Sequence, residues 1–151
     1  MRAVVQRVRS AHVSSRLDAD AEFETVGEIG LGACVLVGVT HSDTAADADR
    51  LAAKVVGLRI FDDHEGVMNL GAADVGGEFL VVSQFTLYGD TTRGRRPSWI
   101  DAARPERAEP LVERVVEQLR SSGVRVETGR FRTEMRVELV NDGPVTLVID
   151  V

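Results

Sequence analysis

Apolar and polar positions alternate from Met1 to Val13: Val4, Gln6, Val8 and Ser10 fall on one parity, Val5, Arg7 and Arg9 on the other. A period of two sends successive side chains to opposite faces, so the segment predicts a strand. Ser14 to Asp20 is polar and predicts a turn, after which Phe23 to Ile29 reads as a second strand returning toward the first. Gly30-Leu31-Gly32 breaks the pattern, and Ala33 to Val39 is an unbroken apolar run, as expected of a strand buried on both faces. The period then lengthens. Ala48, Leu51, Ala52, Val55 and Leu58 form one helical stripe, with Ser42 or Asp43 as the N-cap and Asp47 and Asp49 in the early turns. Arg59 to Asn69 is short and mixed. Gly76-Gly77 precedes a further buried strand, Phe79 to Phe85.

Residues 88 to 104 carry neither period and predict a long loop of the kind that bears function. Leu111, Val112, Val115, Val116 and Leu119 mark a second helix that stops at Gly123. Pro105 can open it, but Pro110 then lies in its second turn. The helix therefore starts near Glu109 or kinks there. Val124 to Thr128, Met135 to Val140 and Val145 to Val151 are the last strands. Strands at both ends and two helices predict one α+β domain over residues 1–151, with two barrel-like sheet layers and both main helices packed on one outer face.

Composition narrows the function classes. Hydrophobic residues make up 44% and charged residues 28% of the 151, as in ordinary globular domains. No apolar run is long enough to span a bilayer, and the charged, alternating N-terminus is unlike a signal peptide. The expected location is the cytoplasm, with no membrane partner. The net charge of −6 argues against binding nucleic acid over the whole surface, though Arg93-Gly94-Arg95-Arg96-Pro97 is a local basic patch. Cys34 is alone, sits in the apolar run and reads as core. His12, His41 and His64 lack metal-ligand spacing, so neither a metal nor a cofactor is expected.

Two segments stand out. In Val81-Val82-Ser83-Gln84-Phe85-Thr86-Leu87 an apolar strand runs into Ser, Gln and Thr. These either present polar groups for chemistry or satisfy the backbone at a strand end. No G-x-S-x-G elbow surrounds Ser83, and nothing in the sequence supplies Ser83 or Thr86 with a base. In ELVNDGPVTLVID, Asp142-Gly143 reads locally as a hairpin turn with Pro144 opening an edge strand. The alternative is a rigid Gly-Pro tip, with a cis bond, aimed at a ligand.

VVSQFTL, TTRGRRPSW and LVNDGPVT together resemble the D-aminoacyl-tRNA deacylases, as do AVVQRV, VGEIGLG, VGLRIFDDHEGVMNL and TGRF. The resemblance runs in order over almost the whole chain. It implies a homodimer that hydrolyses the ester between a D-amino acid and the tRNA 3′ end and also acts on glycyl-tRNA. It also implies that Gly143-Pro144 is cis and enters the partner subunit's active site, which reverses the local hairpin reading. Carbonyls of such a tip would hold the substrate ammonium, and an L side chain would collide with it. Backbone N–H groups near Gln84, Phe85 and Thr86, beside Ser83, would bind the oxyanion, and the RNA 2′-OH would orient or activate water. Arg7 either braces the tip, as the resemblance implies, or is an exposed strand arginine. Met135 and residues 97–103 would wall the pocket, and Arg93, Arg95 and Arg96 would meet tRNA phosphates. The chain departs from the family pattern in a longer segment over residues 14–23 and in Pro110. Rival readings are a non-catalytic tRNA-end binding module, a small-molecule esterase or amidase, and an editing domain with a trans Gly-Pro bond.

Overall fold

A computed structural model describes every residue except Arg93; the sequence-based expectation for Arg93 lies outside the described residues. Strand β1 (Arg2–Arg16) is the spine. Its first half lies antiparallel to β3 (Gly32–Gly38) and its second half to β2 (Glu24–Ile29), while β8 (Glu134–Asp150) follows it along its other side. β6 (Glu78–Ser83) runs parallel to β3, and β7 (Val126–Thr128) parallel to β6. The result is a nearly closed, barrel-like sheet in the order β2-β1-β3-β6-β7, with β8 on β1. A second, small sheet pairs β4 (Phe61–Asp62) with β5 (Met68–Leu70) inside the mixed segment where the alternation showed no strand.

Parallel neighbours need crossover connections, and the two helices supply them. α1 (Ala45–Val56) lies between β3 and β6, and α2 (Pro105–Ser121) between β6 and β7. One core joins Leu51, Val55, Val115 and Leu119 of the helices to Val5, Val35, Val37, Phe79 and Val81 of the sheet. A second core, with Val8, Val13, Ile29, Cys34, Leu80 and Val82, fills the sheet interior against Met135, Val137 and Leu139. β3 and β6 contribute to both cores, which accounts for their unbroken apolar runs.

Several boundaries differ from the sequence reading. β1 continues through the polar stretch to Arg16, because Ser14, Ser15 and Arg16 pair with Arg136, Met135 and Glu134. The α1 cap is Thr44, whose N–H and hydroxyl both bond the Asp47 carboxylate at 2.8 and 2.6 Å. Asp43 is unavailable as a cap: it accepts from the Met1 ammonium at 2.7 Å and from the Thr40 N–H at 2.7 Å. α2 starts at Pro105, where a missing N–H costs nothing, and runs through Pro110 on its exposed side. The final two strands are one. β8 pairs with β1 from end to end, so Asp142-Gly143 is not a hairpin turn.

Candidate active site

The strand register places the Gly-Pro segment. Between Val8 and Gln6 of β1, the partner residue on β8 jumps from Asn141 to Thr146. The chain in between cannot stay in the ladder and bulges out of the sheet. Gly143 has φ 116°, a conformation side chains seldom adopt, and Gly143-Pro144 is cis. Both residues are exposed. The base of the bulge is tied down by Asn141, whose amide donates to the carbonyls of Arg7 at 3.0 Å and Val145 at 3.2 Å.

Arg7 lies beneath the bulge and is only 6% exposed, so it is not the exposed strand arginine of the local reading. It donates to the carbonyls of Ile60 and, at 3.3 Å, Asp142. It also lies 3.4 Å from the carboxylates of Asp62 and Asp142. A Cβ on Gly143 would fall 2.9 Å from an Arg7 guanidinium nitrogen. A side chain at this position would be strained by the φ and would have to displace the Arg7 guanidinium and Val145.

The second segment forms a cleft elsewhere on the molecule. β6 ends at Ser83, and Phe85–Tyr88 coil into a short 3-10 turn. The Gln84 N–H bonds the Val37 carbonyl at 2.7 Å, so it is spent on the sheet. The N–H groups of Phe85 and Thr86 have no acceptor among the described residues, as expected for the opening residues of a helical turn. Of the three candidate oxyanion donors, these two remain. The Thr86 hydroxyl is bonded by the Gln84 side-chain amide.

Ser83, Gln84 and Phe85, but not Thr86, line a cleft of about 610 Å³ with Met135, Trp99, Ala102 and Ala103 and with the first turns of α2. Trp99 packs edge-on to Phe85 at 5.6 Å. It rests on Gly89, where a Cβ would come within 2.4 Å of the ring. Thr40 and His41 hold the Trp99 segment through bonds to the Asp101 and Ile100 carbonyls at 2.6 and 2.7 Å. Phe131, Arg132 and Thr133 also line the cleft; Phe131 closes the TGRF motif, but the sequence reading assigned none of the three to the site, because they sit in a turn with no periodic pattern. No histidine or carboxylate is among the described lining residues. Neither Gly143 nor Pro144 lines the cleft of its own protomer. Arg95 and Arg96 are exposed and make no ion pair among the described residues. The described residues contain no cluster of metal-binding side chains, and no helix among them is long and apolar enough to cross a membrane.

Residues 4–150 match the D-Tyr-tRNA(Tyr) deacylase family. The D-aminoacyl-tRNA deacylase of Symbiobacterium thermophilum is 59% identical over 150 residues, covering 99% of this chain and 95% of that protein. A Bacillus subtilis relative described as an inactive D-aminoacyl-tRNA deacylase is also 59% identical, over 127 residues, 84% of this chain and 96% of its own. Among solved structures, a c-Myc DNA unwinding element binding protein superposes with a TM-score of 0.89 at 35% identity, over 100% of this chain and 99% of its own. A match this complete, carried by sequence and fold together, makes the chain a member of the D-Tyr-tRNA(Tyr) deacylase family.

Proposed function

We propose that this chain hydrolyses the ester linking a D-amino acid, or glycine, to the 3′ end of tRNA, and that it does so as a homodimer in the cytoplasm. The observation that carries the reading is the separation of two sites on one protomer. A cleft is lined by Phe85, whose backbone N–H is unspent, and the equally unspent N–H of Thr86 follows next in the chain, while a braced, exposed Gly143-Pro144 tip lies outside the cleft. A second copy can bring the tip of one protomer to the cleft of the other. β8 supports such pairing, since among the described residues it pairs only with β1 and it exposes Val140 and Val148.

In this reading the ester carbonyl sits against the Phe85 and Thr86 N–H groups. Water attacks the carbonyl carbon, and the two N–H groups take the developing negative charge. Each such donor is worth about 3–4 kcal/mol in the transition state. The intermediate collapses, and the ribose 3′-oxygen leaves with a proton as the free D-amino acid forms. With no histidine or carboxylate among the described lining residues, the ribose 2′-OH beside the ester orients or activates the water. The partner's tip holds the substrate ammonium through its main-chain carbonyls and leaves room for a D side chain but not an L one. Exposed Arg95 and Arg96 meet tRNA phosphates.

The inactive Bacillus subtilis relative gives weight to a second reading, a tRNA-end binding module without turnover. Deacylation of D-tyrosyl-tRNA separates the two. Replacing Pro144 by Ala should let L-tyrosyl-tRNA be cleaved, and unchanged selectivity would count against the gate. A 2′-deoxy terminal adenosine should all but abolish hydrolysis; full activity would remove the RNA from the mechanism.

A further inference from the structure

Arg132 is the one charged side chain among the described residues lining the cleft. It is exposed and makes no ion pair or hydrogen bond among the described residues. The basic residues around it are engaged. Arg130 pairs with Glu24 at 2.7 Å, Arg16 with Glu134 at 2.6 Å, and the Arg136 guanidinium lies 3.9 Å from the Phe23 ring centre. The Arg132 backbone stands at φ 60°, where it is the sole residue other than glycine among those described. That conformation penalises any side chain with a Cβ, and a glycine would hold it without strain. The turn itself is pinned: the Thr133 hydroxyl bonds the Arg130 carbonyl at 2.8 Å and shares a 2.6 Å bond with buried Ser15. The fold thus holds an uncompensated guanidinium at an otherwise uncharged cleft, in a backbone state better suited to glycine.

We propose that Arg132 binds the phosphate on the 5′ side of the terminal nucleoside. This rests on the reading that the cleft receives the 3′ end of an aminoacylated RNA. A nucleoside seated there carries one phosphate on its 5′ side, and the net charge of −6 means that a phosphate needs a local cation to approach. A guanidinium offers two parallel N–H donors to phosphate oxygens. Arg132 is thereby a binding residue that sets how deeply the RNA end enters, separate from the groups that stabilise the oxyanion.

Trp99, the only tryptophan of the chain, lines the same cleft and reports occupancy by fluorescence. Intact protein is titrated at low salt with adenosine and with adenosine 5′-monophosphate. The monophosphate should bind roughly tenfold more tightly, the effect of hydrogen bonds to a charged group. Arg132→Gly should erase that preference, leave adenosine binding unchanged and melt no lower than the parent. Arg132→Lys should keep part of the preference. Equal binding of the two ligands by the parent, failure of both to bind, survival of the preference in Arg132→Gly, or equal weakening of both ligands in that variant would each overturn the assignment. The titration involves no turnover. A protein that prefers the monophosphate yet fails to deacylate D-tyrosyl-tRNA would refute the hydrolytic reading alone.

Discussion

Replacing Arg7 by Met tests whether the Gly143-Pro144 tip is held from below. Methionine keeps the apolar stem of the side chain and removes the charged head. Two carbonyls, those of Ile60 and Asp142, then lose their donor. A buried acceptor left unsatisfied costs about 1–3 kcal/mol. Ile60 is 7% exposed and belongs near the upper end, while Asp142, with a side chain 20% exposed, keeps access to water and belongs near the lower. The Asp62 carboxylate is half exposed, so losing that pair adds only about 0–1 kcal/mol. The sum is about 4–5 kcal/mol. For a chain of this size each kcal/mol lowers Tm by about 2–4 °C, so the melting point should fall on the order of 10 °C. The functional effect is separate. A tip whose placement loses ~1.4 kcal/mol of its discriminating energy gives up about tenfold in D-over-L selectivity. Thermal unfolding measures the first quantity, and paired time courses on D- and L-tyrosyl-tRNA measure the second. An unchanged melting point would refute the buried brace. A destabilised protein with full selectivity would show that Arg7 supports the fold and does not position the tip.

Other outcomes follow from the same geometry. Thr86→Ala should lose less than about tenfold in kcat, against the ~10⁶-fold that removing a true nucleophile costs, because the hydroxyl is turned to Gln84 and its backbone N–H survives the change; single-turnover deacylation measures it. Burial pushes the Cys34 thiol up to about 11, so it should resist thiol reagents at pH 8 until the protein unfolds. The raised value favours the folded state below about pH 9. That contribution, about 2–3 kcal/mol, should be lost as pH climbs from 9 through 11. Denaturant unfolding of the parent across that range should show the loss, and Cys34→Ala should flatten it.

The strands and helices that bury a face were legible because period follows burial. β3 and β6 read as apolar runs since they feed two cores, and both helical stripes face the sheet. What stayed hidden depends on partners distant in sequence. Asp142-Gly143 has good turn chemistry, yet the chain does not reverse there, because β1 pairs with β8 on both sides of the bulge. Asp43 and Thr44 are both capping residues, and the choice between them is made by the Met1 ammonium, which occupies Asp43. Strand alternation puts Arg7 on a face without saying what covers that face, which is the chain at Ile60 and the bulge itself. At the site, SQFT drew attention by its polar residues at a strand end. The specific donors could not be assigned, because only the fold shows that Val37 takes the Gln84 N–H and leaves those of Phe85 and Thr86. Arg132 lies in a turn without periodicity, and neither its φ nor its place at the cleft is written in the residue type.

The central claim is selective removal of D-amino acids from tRNA, and incubating purified protein with matched D- and L-tyrosyl-tRNA measures it directly. The account predicts rapid release of D-tyrosine while the L-tyrosyl ester decays no faster than in buffer. Equal release of both, or of neither, would contradict it.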